Sequence, residues 1–248
     1  MRVITERPKR IFAVGDLHGC LDELNLILTF LKKKQGACSD DLFVFIGDYI
    51  DRGKESRQVI ERLLSLQFEW PKTVFIKGNH EDMLLDFLGL GGRCGDVYLS
   101  NGGDEFFKSY GLDPALPQSE LLERLPVEHL EFLKKLEVAV CLAEFVFVHA
   151  GVSPDRPLEE QDLLDLMWIR ADFIHDEHRL GKTVVFGHTP FEDVLLHLPF
   201  KIGIDTGLIY GNKLSVVELV HGTLYQVERE GLEVGVHDLS ARLLTNLR

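Results

Sequence analysis

Short apolar runs and helical spacings alternate through the first eighty residues. Ile11-Phe12-Ala13-Val14 is a continuous apolar run stopped by Gly15, the pattern of a strand buried on both faces. Apolar residues then fall at Leu21, Leu24, Ile27, Leu28 and Leu31, which is helical spacing. Lys32-Lys33-Lys34 follows, where cations favour a helix C-terminus. Leu42 to Ile46 predicts a second strand and Thr73 to Ile76 a third. Between them Val59, Ile60, Leu63, Leu64 and Leu66 predict a helix over 57–66. A β-α-β-α-β start with short connections requires parallel strands covered by helices.

The pattern changes after Gly78. Met83 to Leu88 predicts a short helix, and 89–103 is rich in glycine. Two short helical patterns lie within 119–136, the second opened by Pro126. With so little strand character, 89–135 is expected to be a cap or insertion beside the site. Val138–Cys141 and Phe145–Val148 predict a hairpin, Leu158 to Trp168 a helix and Thr183 to Phe186 a strand. Runs at 195–198, 201–204, 214–219 and 223–227 predict a closing β-meander. No linker divides the chain, so residues 1–248 are expected to form one α/β domain with two sheets.

The 248 residues are 45% hydrophobic and 27% charged, which fits a globular protein able to bury its own core. A net charge of −13 argues against nucleic-acid partners and against docking on an anionic membrane. It does not exclude an anionic substrate, because metals and a few arginines can dominate a local field. Cys20, Cys38, Cys94 and Cys141 form no C-x-x-C pair and read as free thiols. The chain has no run of eighteen apolar residues and no signal-peptide stretch at its start, so a cytoplasmic location is expected. Nothing in the sequence specifies an oligomeric state.

The candidate chemistry lies in five glycine-bounded segments. They are Gly15-Asp16-Leu17-His18-Gly19, Gly47-Asp48-Tyr49-Ile50-Asp51-Arg52-Gly53, Gly78-Asn79-His80-Glu81, His149-Ala150-Gly151 and Gly187-His188-Thr189. Four directly follow a predicted strand and the second lies close behind one. Each is ambiguous alone, since a turn Asp or a surface His gives the same letters. Together they set carboxylate, amide and imidazole ligands at one sheet edge without thiolate, a donor set that favours a hydrolytic dinuclear site over structural zinc.

These motifs resemble the phosphoprotein phosphatase branch of the calcineurin-like metallophosphoesterases, particularly its short bacterial and phage enzymes. The family pattern is GD-x-HG, GD-x-x-DRG, GNH-E/D, H-A/G-G and GH-T/S, and the resemblance runs from about residue 9 to 207. It implies a four-layer α/β/β/α sandwich with two mixed β-sheets. It implies two divalent metal ions, Mn2+ first among the candidates with Fe or Zn as the others. Asp16, His18 and Asp48 would hold one. Asp48, Asn79, His149 and His188 would hold the second, with Asp48 shared.

By the same resemblance, a hydroxide between the metals attacks phosphorus in line. His80 acts as general acid, and Asp51 orients its imidazole in the charged form. Arg52 and Asn79 bind the substrate phosphate, and Arg170 joins them by a looser match. The expected substrate is a phosphomonoester, foremost phosphoserine or phosphothreonine in a protein. The alternative is a dinucleoside polyphosphate such as diadenosine tetraphosphate. Symmetrically cleaving diadenosine tetraphosphatases usually vary the first motif's His and the DRG, both retained here; asymmetrically cleaving relatives keep them. A non-catalytic phosphoprotein-binding module would have lost some of Asp16, Asp48, Asn79, His80 and His188, and none is lost. His175, His178, His197, His221 and His237 are expected to be surface or sheet histidines. Asp205-Thr206-Gly207 reads either as a turn or as support for the site, and 98–103 as a segment that could touch substrate.

Overall fold

The computed structural model describes residues 1–246. The first part runs β1 (Arg2–Ile4), β2 (Ile11–Val14), α1 (Leu21–Lys34), β3 (Leu42–Phe45), α2 (Ser56–Glu69), β4 (Val74–Phe75) and α3 (Asn79–Phe87). Residues 89–135 then hold two 3-10 turns, α4 (Asp104–Ser109), α5 (Gln118–Arg124) and α6 (Val127–Lys134), with no strand. After them come β5 (Ala139–Leu142), β6 (Phe145–Val148), α7 (Leu163–Trp168), α8 (Ala171–His175), β7 (Thr183–Phe186), β8 (Leu195–His197) and β9 (Lys201–Gly203). The remainder is β10 (Lys213–Glu218), β11 (Thr223–Glu228), β12 (Gly235–Asp238) and α9 (Ser240–Asn246).

The strands form two six-stranded mixed sheets, ordered β1-β5-β6-β7-β9-β8 and β12-β11-β10-β2-β3-β4. β2, β3 and β4 are parallel, as the β-α-β-α-β reading requires. β5 and β6 form the expected antiparallel hairpin.

Strand alternation builds the layers, because successive side chains point to opposite faces. On β2, Phe12 and Val14 join the apolar layer that contains Leu24 and Ile27 of α1 and Val59 and Leu63 of α2. Ile11 and Ala13 face the other way, into the layer between the sheets, where they join Phe145 and Phe147 of β6. Val146 and Val148 of β6 turn outward with Leu166 of α7 and Phe173 of α8. The result is the α/β/β/α sandwich.

Four expectations change. The closing strands are not one meander: β8 and β9 belong to one sheet, β10 to β12 to the other. The strand pattern identifies extended segments but not their partners. The predicted helix over 158–168 is broken, because Asp162 caps a new start by accepting from the Leu164 N–H at 2.8 Å. The third-motif helix begins at Asn79, four residues before its apolar spacing does. His178, expected at the surface or in a sheet, lies buried outside any strand, stacked on Phe173 with Nε2 donating to the Phe200 carbonyl. Among the described residues no helix is long and apolar enough to cross a membrane, and the four cysteines are free thiols.

Candidate active site

The five motif segments meet at one place. Asp16, His18, Asp48, Asp51, Asn79, His80, His149 and His188 are all buried. The backbone there is held in an uncommon form: His18, Asp48, Asp51, Arg52 and His188 have φ of 43°, 51°, 72°, 64° and 64°. Left-handed backbone at non-glycine residues costs free energy, and such strain gathers where geometry serves a task. Close approach requires several of the motif glycines. A Cβ at Gly78 would stand 2.2 Å from Asp48 Oδ1, and one at Gly187 would stand 2.1 Å from Asp16 Oδ1.

Asp48 is the centre. Its Oδ1 lies 3.3 Å from His149 Nε2 and its Oδ2 lies 3.4 Å from His18 Nε2. Oδ1 also accepts from the His80 backbone N–H at 3.2 Å, in the first turn of α3, where the helix dipole favours an anion. Glu81 ties the motifs together: Oε2 accepts from the N–H groups of Asp48 at 3.0 Å and Gly78 at 2.9 Å, and Oε1 from that of Tyr49 at 2.8 Å.

The histidine tautomers follow from their carbonyl partners. His18 Nδ1 lies 2.9 Å from the Ile50 carbonyl and His149 Nδ1 lies 2.9 Å from the Ile46 carbonyl. A carbonyl only accepts, so Nδ1 carries a proton in each. His18, which burial keeps neutral, offers a lone pair at Nε2, whereas the raised His149 carries a second proton on Nε2 in the metal-free chain, the proton a metal ion would replace. His149 Nε2 points at Asp48 Oδ1 and, at 2.9 Å, at Asn79 Oδ1. His18 Nε2 accepts from Arg52 Nη1 at 2.7 Å. Asp16 Oδ1, His80 Nε2 and His188 Nε2 are buried and have no hydrogen-bond partner.

Lone pairs converging in a buried place call for a cation. Two groups of side chains have ligand atoms close enough to hold one: His18, Asp48 and His80, and Asp48, His149 and His188. They share Asp48. Asp16 falls outside both groups, although its Oδ2 accepts from the His188 N–H at 3.0 Å. Asn79 stands beside the second through His149.

The charges tell the same story. Burial pushes the Asp16 carboxyl well above its usual range, and Asp205 and Asp48 push it further. Burial raises Asp205 to about 6 and Glu81 to about 8, with Asp48 adding to each. Burial pulls His149 down, but Asp48 outweighs it and lifts the imidazole to about 9. A site whose carboxylates repel one another and retain protons when metal-free is one that a divalent cation relieves.

Beside this cluster lies a second unit. His80 Nδ1 is 2.7 Å from Asp51 Oδ2, and Tyr98 Oη donates to Asp51 Oδ1 at 2.7 Å. Burial lowers His80 to about 4 and raises Asp51 well above the carboxylate range. The orientation of the pair is as expected. Its charge separation is disfavoured in the metal-free chain, because both groups are desolvated.

Arg52 is half-buried, its guanidinium 5.6 Å from the Tyr210 ring centroid. Its N–H donates to the Gly102 carbonyl at 3.0 Å. Arg170 is exposed, with Nη1 3.4 Å from Thr189 Oγ1, next to His188. Glu81 and Tyr98 are the positions whose part here the sequence did not give. Glu81 was visible inside its motif, whereas Tyr98 had no spacing to mark it. Asp205 closes a turn, its Oδ1 accepting from the Gly207 N–H at 2.9 Å, and its carboxylate is near enough to Asp16 to raise it.

Residues 9–218 match the calcineurin-like phosphoesterase family. The chain belongs to that family. It is 29% identical to serine/threonine-protein phosphatase 1 of Salmonella typhimurium, over 88% of this chain and 95% of that one. It is 27% identical to the asymmetrical bis(5'-nucleosyl)-tetraphosphatase PrpE of Anoxybacillus flavithermus, over 82% and 88%. The fold is shared with a protein serine/threonine phosphatase from Saccharomyces cerevisiae, at a TM-score of 0.61, 16% identity and coverage of 96% and 83%. This calcineurin-like phosphoesterase is therefore similar to enzymes named for two different substrates.

Proposed function

We propose that this phosphoesterase hydrolyses phosphomonoesters, foremost phosphoserine and phosphothreonine in proteins, with two divalent cations, Mn2+ first among them. The observation that carries the reading is Asp48, with one oxygen toward each of two histidine groups and the unpartnered His80 Nε2 alongside. Asp16, His18 and Asp48 would hold one ion; Asp48, Asn79, His149 and His188 would hold the other. When bound, such ions supply positive charge to the phosphoryl oxygens and lower the pKa of a water.

The chain's own residues do the rest. Arg52 offers a planar fork of donors to the phosphoryl oxygens, and Asn79 and Arg170 complete the phosphate site. His80 Nε2 gives its proton to the leaving oxygen as the P–O bond breaks. Asp51 keeps Nδ1 protonated and the ring aimed, the part a buried carboxylate plays beside a catalytic histidine. An arriving phosphate dianion stabilises the charged imidazole that burial otherwise disfavours. Segment 89–135 serves as the cap, and by its position it selects the substrate.

The second reading is hydrolysis of dinucleoside polyphosphates, favoured by the similarity to PrpE along nearly its whole length. The two are separated by comparing kcat/KM of the Mn-loaded enzyme on a phosphoserine peptide and on diadenosine tetraphosphate. The proposal expects the peptide to win by about tenfold or more, which is 1.4 kcal/mol in the barrier. A preference for the dinucleotide selects the second reading. No turnover of either substrate, with metal bound, selects the non-catalytic binding module.

A further inference from the structure

We propose that Tyr98, supplied by the segment between α3 and α4, is a positioning residue for the Asp51–His80 pair. This makes the segment a working part of the acid step, not only a selector of substrate. The inference rests on the reading of His80 as general acid.

The accounting of the Asp51 carboxylate is complete. Oδ2 faces His80 Nδ1 at 2.7 Å, and Oδ1 accepts the Tyr98 hydroxyl proton at 2.7 Å. The Asp51 N–H donates to Ser56 Oγ at 2.9 Å, which fixes the backbone but leaves the carboxylate free to rotate. Tyr98 removes that freedom. A carboxylate held at one oxygen presents the other at a fixed angle, and a ring held at Nδ1 presents Nε2 at a fixed angle.

Tyr98 is itself immobile. It is fully buried, against Phe87 at 5.5 Å and Phe107 at 6.2 Å between ring centroids. Its ring fills the space where a Cβ on Gly103 would stand, 2.5–2.7 Å from three ring carbons. A ring locked by packing on all sides can deliver its hydroxyl to one place only. A tyrosine needed for packing alone would not require the hydroxyl to reach a catalytic carboxylate. Tyr98 is therefore closed off from any substrate and acts through Asp51.

The experiment compares an ester with a good leaving group, 4-nitrophenyl phosphate, with one that needs a proton, phenyl phosphate. In Tyr98→Phe, kcat on phenyl phosphate falls about tenfold, kcat on the nitrophenyl ester falls less than about twofold, and both KM values stay put. Bound metal stays at wild-type; the thermal midpoint falls by a few degrees, as the loss of the donor to a buried carboxylate oxygen requires, and the enzyme is assayed well below it. Phe107→Leu loosens the same packing while keeping the hydroxyl, and it leaves the ratio between the esters unchanged. In the double variant with His80→Asn, loss of the hydroxyl adds nothing further.

The His80 ring N–H proton resonance, assigned by its absence in His80→Asn, shifts or vanishes in Tyr98→Phe and persists in Phe107→Leu. Equal losses on both esters, or an unmoved resonance, overturn the proposal. If His80→Asn itself spares the leaving-group ratio, the general-acid reading fails, and with it the ground for this role. If His80→Asn changes the ratio and Tyr98→Phe does not, only the role of Tyr98 fails.

Discussion

Replacing Asp48 with Asn keeps the side chain's shape and removes its charge. The size of that charge is readable from His149. The imidazole stands at about 9 against an ordinary 6.5, a rise that Asp48 imposes against burial. That net rise of about 2.5 units corresponds to about 3 kcal/mol in favour of the charged imidazole, at about 1.36 kcal/mol per unit, with Asp48 the first of the groups that raise it and burial opposing them. Two divalent cations would each lose the same anion. Removing a partner one shell farther out typically costs about 10–100-fold in metal affinity. Removing a shared carboxylate should therefore exceed about 100-fold for both ions. Asp48→Asn is expected to leave gel filtration with less than one metal per chain by elemental analysis. In the metal-free variant, His149 followed by NMR should titrate well below 9. A variant that retains both metals at wild-type affinity, with His149 still near 9, refutes the reasoning.

His80→Asn should lower kcat on a poor leaving group by about 10²–10⁴ with metals retained, read by steady-state kinetics beside elemental analysis. Near-wild-type turnover excludes the acid role. Arg52→Lys keeps the charge and loses the fork, so KM and the inhibition constant of inorganic phosphate should rise by about tenfold or more, with kcat less affected. For the metal-free chain, the raised groups set the pH dependence. His149 and Glu81 titrate near 9 and 8 when folded, above their usual 6.5 and 4.5, so the folded state retains protons that the unfolded state releases. Their stabilising contribution is complete below the unfolded values and is lost as pH rises through the folded ones. Above about pH 7.5 the lowered His18, His80 and His188 are neutral in both states and drop out of the balance. Thermal midpoints of the metal-free chain should therefore fall between about pH 7.5 and 9. Metal loading, which replaces the proton at His149, should flatten the slope.

Much of this was legible in the chain because strand ends and glycines leave strong marks. Phe12 and Val14 against Ile11 and Ala13 form one unbroken apolar run, and the structure buries both faces as that run demands. The five motifs carry polar residues where an ordinary strand end would carry turn formers, and the fold brings all of them together. What sequence missed is non-local. Nothing in the spacing of β8 to β12 says that two strands close one sheet and three the other. β1 is three residues beginning with Arg2, and β12 is exposed throughout, so neither carries a periodic signal. Tyr98 reaches Asp51 across 47 residues of chain, a contact made by folding and by Gly103 rather than by any pattern. Glu81 looked like the tail of a motif, and it binds three backbone N–H groups from two motif loops.

If two cations share Asp48, an anomalous difference map from crystals of the Mn-loaded protein will show two peaks, one on each side of the Asp48 carboxylate, each within coordination distance of its histidines. A single peak away from Asp48, or none at full Mn saturation, would contradict that sharing.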